Sequence, residues 1–202
     1  MRTLQRGVTL IELAVVLAVV AILFATAAPS FAAWIHNVQI RTATESVQNG
    51  LQLARAEAIR RNRSVMFWLT SNATPPTADW VVGCANPAGA GSVPEQPGDC
   101  PGTPTTATPT PGNYIQSQAA ADQQTALPQI TVTPAGATNV TFNSVGMVLP
   151  NTDGSASITQ IDITDPSIPT ASARPLRVTI SGGQIRMCDP NLSLANDPRG
   201  CT

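Results

Sequence analysis

The chain has 202 residues and a formal net charge of −1, from eleven Arg and twelve acidic residues without any Lys. This length allows one modest domain with appendages and excludes two large hydrophobic cores. Apart from Arg2 and Arg6, nine Arg face twelve acidic residues, so the chain has no global basic field, which weighs against a dedicated nucleic-acid-binding protein and leaves only a small local patch open. Charged residues make up only 11% and Gly, Pro, Thr and Ala are abundant, which favours a loop-rich β domain over a helical enzyme.

An apolar segment dominates the first thirty residues. Residues 8–28 contain only Thr9, Glu12 and Thr26 as polar side chains. A helix of that length spans roughly 30 Å, about the thickness of the hydrocarbon layer of a membrane. Because the first six residues include two arginines, we expect the N-terminus to stay in the cytoplasm and the rest of the chain to lie outside.

Three interpretations of this segment compete: a secretory signal ending near residues 25–27, a plain membrane anchor, and a filament subunit cut between Gly7 and Val8. Glu12 decides among them, because inserting a carboxylate within an apolar helix costs on the order of 3 kcal/mol. A signal or an anchor gains nothing from this charge. In a filament, the new α-ammonium group of Val8 pairs with Glu12 of a neighbouring subunit in the apolar centre.

The residues Gly7-Val8-Thr9-Leu10-Ile11-Glu12-Leu13 resemble the processing motif of the type IV pilin and type II secretion pseudopilin superfamily. The resemblance implies cleavage between Gly7 and Val8 by prepilin peptidase, N-methylation of Val8 and a role for Glu12 in assembly. Pro29 falls where many pilins carry a helix-kinking proline. Val8 departs from the family pattern, since most members begin with methylated Phe.

The processing motif and the hydrophobic pattern that follows it divide the chain into four segments. They are a leader at 1–7, a transmembrane helix at 8–28, an amphipathic helix at 29–63 and a β-rich head at 64–202. Apolar residues recur in steps of three and four from Ile40 to Ala58, so the second helix is expected to run to about Arg61.

Short runs rich in β-branched and aromatic residues predict the strands of the head. They lie at 64–70, 80–82, 130–133, 140–142, 147–149, 158–164, 176–180 and 184–187. Gly182-Gly183 predicts a hairpin between the last two. The rest of the stretch between Thr70 and Gln129 is expected to be irregular, with an exposed Pro/Thr-rich loop at about 100–112.

The four cysteines are Cys84, Cys100, Cys188 and Cys201, and no two of them form a CxxC pair. With a single histidine in the chain, a Cys/His zinc site is not expected, and we predict no metal and no cofactor. Two disulfides are expected outside the cytoplasm. Three connectivities can be drawn, and the local pairing Cys84–Cys100 with Cys188–Cys201 closes the shortest loops.

Three stretches, one in the amphipathic helix and two in the head, resemble the GspH/FimT branch of minor pilins and pseudopilins. They are residues 51–60, 140–146 and 183–190. The resemblance implies an α+β fold in which the long N-terminal helix packs on a two-sheet antiparallel β head, the type IV pilin lollipop. It further implies a single-pass inner-membrane protein with a periplasmic head, which later enters a pilus or pseudopilus.

The function implied by this branch is that of a minor pilin, a subunit that helps to initiate and assemble a type IV pilus at or near the filament tip. Its implied partners are other major and minor pilins, prepilin peptidase, the pilus assembly platform and the membrane. One alternative is a type II secretion pseudopilin of the GspH kind, which the sequence pattern does not separate from a minor pilin.

A second alternative is a DNA receptor for natural transformation. Some FimT proteins bind DNA through a Gly-Arg-x-Arg motif near the C-terminus, but here residues 183–186 read Gly-Gln-Ile-Arg and lack the first arginine. The candidate DNA contacts are Arg174, Arg177, Arg186 and Arg199. Against Asp189 and Asp197 they leave a local surplus of two positive charges, enough for weak, salt-sensitive binding only. DNA is therefore not the favoured partner.

The sequence contains no nucleophile elbow, zinc-protease motif, P-loop or dinucleotide fingerprint, so we expect no catalytic residues and no enzyme activity. His36 is interpreted as an interfacial or packing residue. Asp162 and Asp165 are interpreted as turn residues, because their spacing fits no calcium loop. Four arginines near the helix end are interpreted as favourable charge at the negative end of the helix dipole, the alternative being a patch for an anionic partner. They are Arg55, Arg60, Arg61 and Arg63.

Overall fold

The computed structural model describes residues 9–70, 77–85, 97–98, 115–119, 128–151 and 154–201. These residues form one α-helix and ten β-strands. The chain divides into two compact units, Met1–Ile35 and His36–Thr202. The helix, α1 (Leu10–Arg61), contributes residues to both units.

Helix α1 runs for 52 residues, continues through position 29 and ends at Arg61, where the apolar pattern predicted its end and two residues before the segment boundary placed at residue 63. The reason for this end is local. Asn62 adopts a left-handed conformation with φ of 51°. The N–H groups of Asn62 and Arg63 donate to the carbonyls of Ile59 and Ala58, each at 3.2 Å. These two bonds form a Schellman motif, which satisfies the last carbonyls and turns the chain away from the helix.

In the second unit, one face of α1 is fully buried. Its apolar members are Ile40, Ala43, Val47, Leu51, Ala54 and Ala58, all 0% exposed. Gly50 lies on the same face, where an added Cβ would come within 2.9 Å of Trp80 and 2.8 Å of Phe67. Glycine weakens a helix by up to about 1 kcal/mol, but here only glycine lets the helix approach the aromatic rings. Trp80 Nε1 also donates a hydrogen bond to Ser46 Oγ at 3.0 Å.

Ten strands follow the helix. They are β1 (Val65–Leu69), β2 (Trp80–Ala85), β3 (Pro97–Gly98), β4 (Gln116–Gln118), β5 (Gln129–Thr133), β6 (Asn139–Phe142), β7 (Val148–Leu149), β8 (Gln160–Thr164), β9 (Leu176–Ser181) and β10 (Gln184–Cys188). One sheet has the order β3-β2-β1-β6-β7, with β4 also paired with β2, and the other has the order β10-β9-β8-β5. Every pairing between these strands is antiparallel.

The central strand of the larger sheet is β1. Val65 lies opposite Cys84 of β2 and opposite Phe142 of β6. Val65 and its two successors in β1 are all 0% exposed, which accounts for the unbroken apolar run in the sequence. In the smaller sheet, β8 instead alternates, with Ile161 and Ile163 buried between more exposed residues, as in a strand with one face toward the core.

Backbone hydrogen bonds join strands of the larger sheet to residues that flank strands of the smaller sheet. The Ile158 N–H donates to the Asn139 carbonyl at 3.0 Å, and the Val148 N–H donates to the Gly182 carbonyl at 2.9 Å. At the second contact, a Cβ on Gly183 would lie 2.3 Å from the Gly146 carbonyl oxygen. Glycine at 183 is therefore required for the turn between β6 and β7 to meet the tip of the β9–β10 hairpin.

All eight predicted strands are present, and the predicted two-residue hairpin is confirmed, since Gln184 pairs with Ser181. The expectation of an irregular stretch between Thr70 and Gln129 was wrong at β3 and β4. These strands have no alternating apolar pattern, and both pair with one strand, β2. The Pro/Thr-rich loop at 100–112 lies outside the described residues.

Candidate assembly site

The start of α1 carries residues that the sequence assigns to assembly. The Glu12 N–H donates to Thr9 Oγ1 at 3.3 Å, and the Leu13 N–H donates to the Thr9 carbonyl at 3.2 Å. Thr9 is therefore the N-cap and Glu12 the third helical residue, which is the spacing of a capping box. The helix begins shortly after the predicted cleavage position between Gly7 and Val8, which itself lies outside the described residues.

Glu12 is exposed and forms no ion pair with any residue that the structure describes. A carboxylate in the first turn interacts favourably with the positive end of any helix dipole. That general effect does not explain a carboxylate within an apolar membrane segment, where an unpaired charge is costly. The contacts within the described residues therefore leave the carboxylate of Glu12 without an ion-pair partner.

The helix around Glu12 presents apolar side chains to its surroundings. All eleven Leu, Ile, Val and Phe residues from Leu10 to Phe24 are exposed, the least exposed being Val20 at 39%. This part of α1 is long and apolar enough to cross a membrane. Exposure of that extent in water would be unfavourable, which fits a segment that is surrounded by lipid.

The predicted disulfide residues are partly described. Cys188 and Cys201 form a disulfide that closes the C-terminal tail onto β10. Cys84 is also disulfide-bonded. Its predicted partner, Cys100, lies outside the described residues, so the pairing of Cys84 with Cys100 stays a prediction.

Two of the four candidate DNA-contacting arginines form ion pairs with carboxylates. Arg177 Nε lies 2.6 Å from Asp162 Oδ1, and both side chains are largely buried. Asp162 lies in β8, so its interpretation as a turn residue was wrong. Arg199 Nη2 lies 2.7 Å from Asp197 Oδ2, and hydrogen bonds from the Arg199 side chain and backbone lower the pKa of Asp197 to about 2.

The other two candidates differ from each other. The Arg186 guanidinium donates to the carbonyls of Pro198 and Gly200, each at 2.8 Å, so it holds the C-terminal tail beside β10. Arg174 is exposed, and its side chain has no ion-pair partner among the described residues. Of the four, Arg174 is thus the one with a guanidinium that the described contacts leave available. The DNA-contact hypothesis stays a prediction.

A polar contact that sequence analysis missed lies in the second unit. His36 Nδ1 is 2.8 Å from Asp165 Oδ2, whose side chain is fully buried. Burial by itself would raise the pKa of Asp165, but hydrogen bonds from Ser167 and His36 outweigh it and lower the pKa. Asn37 adds two bonds, donating to the Ser172 carbonyl at 2.9 Å and accepting from the Arg174 N–H at 2.8 Å. These contacts tie α1 to the connection between β8 and β9.

Comparison with known families identifies the family of the chain and the motif at the start of the helix. The family model for the type II transport protein GspH matches residues 43–184, which is more than half of the chain. The chain belongs to the GspH family. A second model, the prokaryotic N-terminal methylation motif, matches residues 2–28 and so covers the predicted leader, the cleavage position and Glu12.

Two solved structures are similar to this chain. Both are crystal structures of the type IV minor pilin FimU from Pseudomonas aeruginosa, at 14% sequence identity. One match covers 79% of this chain and 95% of FimU with a TM-score of 0.46, and the other covers 75% and 94% with a TM-score of 0.43. Among curated proteins, none matches the sequence significantly.

Membership of the GspH family confirms the resemblance to pilin-like minor pilins and pseudopilins, which are structural subunits and not an enzyme family. The fold class is confirmed as well: a long N-terminal helix is followed by a head of two antiparallel sheets. The methylation motif and the exposed apolar helix fit an inner-membrane anchor. Association with other pilins follows from the family.

Proposed function

We propose that this chain is a minor pilin that helps to initiate and assemble a type IV pilus, and that it is located at or near the filament tip. The observation that carries the proposal is the exposed carboxylate of Glu12 on an exposed apolar helix, within a segment that matches the methylation motif. A structural subunit uses both features, because apolar helices pack together and the buried charge then requires a partner.

The proposed steps follow from the helix start. Prepilin peptidase removes residues 1–7 on the cytoplasmic face, and the new amino group of Val8 is methylated. Val8 immediately precedes the N-cap Thr9, where the positive end of the helix dipole makes a second positive charge unfavourable unless a carboxylate approaches it. Glu12 of a neighbouring subunit supplies that carboxylate when the assembly platform moves the apolar helix out of the membrane.

The head, residues 64–202, is proposed to lie in the periplasm before assembly and in the pilus afterwards. Arg177 and Arg186 both form contacts within the head, as expected of a domain with a structural role. Pro29 is proposed to matter for assembly at a point where the helix leaves the membrane. The proposed partners of the chain in the filament are other major and minor pilins.

The proposal is tested by deleting the gene and counting the pili that shear from the cells, with the full chain restored as a control. We expect fewer pili after deletion, a mature N-terminus at Val8 carrying one methyl group, and gold-labelled antibody at filament ends. Normal pilus numbers after deletion, or an N-terminus near Ala28, would refute the proposal.

A pseudopilin of a type II secretion system is the second candidate, because the matching family model is described as a type II transport protein. The same deletion separates the two functions. A pseudopilin predicts that secreted proteins accumulate in the periplasm while surface pili stay at the parental number. A minor pilin predicts the reverse.

A further inference from the structure

The C-terminal end of α1 and the turn between β6 and β7 expose apolar side chains in the head. Val145 is 70% exposed, Ile59 is 50% exposed and Met147 is 49% exposed. We call these three residues the Val145 surface. Single exposed apolar residues are common on soluble proteins, so the question is whether these three belong together and whether they are held in place.

The contacts around Gly146 show that the Val145 surface is continuous. A Cβ on Gly146 would lie 2.9 Å from Ile59 Cδ1 and 3.0 Å from Arg55 Nε, so the turn rests directly on the helix. Arg55 Nε also donates to the Gly146 carbonyl at 3.2 Å. On the other side, a Cβ on Gly182 would lie 3.5 Å from Met147 Cε, which places Met147 over the hairpin tip.

Asn143 holds the turn rigid. Its side-chain Oδ1 accepts hydrogen bonds from the N–H groups of Val145 at 3.1 Å and Met147 at 2.9 Å. Its backbone N–H donates to the Met147 carbonyl at 2.9 Å, and its carbonyl accepts from the Gly146 N–H at 2.9 Å. Four hydrogen bonds to one residue therefore fix an exposed valine at the tip of the turn, so little conformational entropy is lost when a partner covers it.

The charge beside the Val145 surface is strongly positive. Residues 55–63 contain four arginines and one glutamate, a surplus of three positive charges in a chain with net charge −1. Glu57 pairs with Arg60 and Arg61, each at 2.6 Å. Arg55 and Arg63 have no ion-pair partner among the described residues. An apolar centre thus lies next to two arginines whose charge no described carboxylate neutralises, although Arg55 Nε also donates to the Gly146 carbonyl.

We propose that the Val145 surface is a docking site for the head of a different pilin-like subunit, one whose facing surface places acidic side chains around an apolar centre. The proposal rests on the proposed function and adds to it the contact surface and the chemistry of the partner. Apolar residues surrounded by charged ones are the usual arrangement of a protein interface, and the charges of the two sides would be opposite in sign.

Two other occupants fit less well. Nucleic acid would gain from the arginines but not from exposed Val145, Ile59 and Met147, since base stacking requires aromatic or guanidinium planes. A second copy of this chain, paired through the same surface, would place the two arginine clusters against each other. An acidic head of another subunit avoids both problems.

The test uses the full-length chain in cells that make the complete assembly machinery. A photoreactive benzophenone amino acid replaces Val145 in one strain and Met147 in a second, and light then crosslinks the nearest neighbour. We expect adducts from both positions to contain a subunit with its own N-terminal methylation motif and an acidic head, identified by mass spectrometry. Leu194 is 46% exposed outside the Val145 surface and is the matched control position, from which this adduct should be absent.

Charge reversal supplies the second arm of the test. Arg63→Glu should lower the yield of the Val145 adduct about fivefold, the change expected from losing one exposed ion pair. Arg174→Glu removes an equally unpaired arginine elsewhere in the head and should leave the yield unchanged. Both variants keep the head folded if their unfolding temperature matches that of the parent chain.

The docking proposal is overturned if neither position gives a protein adduct, if the adduct contains a second copy of this chain or nucleic acid, or if Leu194 gives the same adduct equally well. Failure of the proposed function has a different signature. In that case deletion of the gene leaves the number of pili unchanged, whatever the crosslinking shows. Reduced pilus numbers without an adduct refute the docking surface alone.

Discussion

The two parts of α1 use similar apolar residues in opposite situations. From Leu10 to Phe24 every large apolar side chain is exposed, whereas Ile40, Val47 and Leu51 are completely buried. The second part packs against the strands of its own head, and Gly50 permits close contact with Phe67 and Trp80. The first part belongs to the other compact unit, Met1–Ile35, and its large apolar side chains stay exposed. One helix therefore supplies a core element in its second part and an exposed apolar surface in its first part.

The largest effect is expected at the charge in the exposed part. Glu12→Ala should reduce incorporation into filaments about a hundredfold or more, because removing one partner of a buried ion pair costs about 3–5 kcal/mol. Incorporation is measured by immunoblotting sheared filaments. The control is Glu45→Ala in the second part of the helix, where Glu45 forms an exposed pair with Arg41 at 2.8 Å. Filaments containing Glu12→Ala at the parental level would contradict the assembly role.

Substitutions of two matched leucines distinguish the two parts of the helix by their effect on the stability of the head. Leu51→Ala should lower the free energy of unfolding of the head by about 2–5 kcal/mol, since Leu51 is 0% exposed and its removal leaves a cavity. Leu17→Ala removes the same atoms from a residue that is 59% exposed and should leave that free energy unchanged. Urea unfolding of the full-length chain in detergent, followed by tryptophan fluorescence, measures both. Equal losses of unfolding free energy in the two variants would refute the distinction between the two parts of the helix.

The contact between His36 and Asp165 predicts a pH dependence of the head. Because the pKa of Asp165 is lowered in the folded state, its ionised form stabilises the fold above the ordinary pKa of about 4, and this contribution is lost as the pH falls through the lowered pKa. The unfolding temperature should therefore fall on acidification. Asp165→Asn should flatten this fall and cost about 1–3 kcal/mol at neutral pH, since it weakens a buried hydrogen-bonded acceptor. An unchanged pH profile in Asp165→Asn would show that other groups dominate.

The smallest effect is expected at the exposed pair of Asp197 and Arg199. Arg199→Ala removes the hydrogen bonds of the guanidinium and should raise the pKa of Asp197 from about 2 toward its ordinary value. A titration of the Asp197 carboxyl carbon by NMR measures this shift. Neither filament incorporation nor the unfolding temperature at neutral pH should change. A drop in incorporation would instead assign the C-terminal tail to a subunit contact.

Most of the head was predictable from local patterns. Strands such as β1 and β8 carry runs or alternations of apolar residues, and Gly182-Gly183 marks the hairpin between β9 and β10. The two short strands β3 and β4 were missed. Pro97-Gly98 and residues 116–118 have no strand pattern of their own, and they become strands because β2 offers unpaired backbone groups at its edge.

Of the candidate site residues, too, some features could be predicted from the sequence and others could not. Glu12 was identified because one carboxylate interrupts an otherwise apolar run, which is visible in the sequence alone. The partners of the C-terminal arginines were not visible. Arg186 is separated from the tail carbonyls it binds by up to 14 residues, and Arg177 is 15 residues from Asp162. Charge counting treated these arginines as available, whereas the fold occupies them.

The sequence by itself determined the methylation motif, the apolar length of α1 and the type of most strands, because each depends on residues that are close together in the chain. Only the tertiary structure decided which polar groups meet. His36 and Asp165 are 129 residues apart, and Arg55 and Gly146 are 91 apart. Such contacts form when packing of an apolar helix face and two sheets brings distant segments together, and no local pattern encodes them.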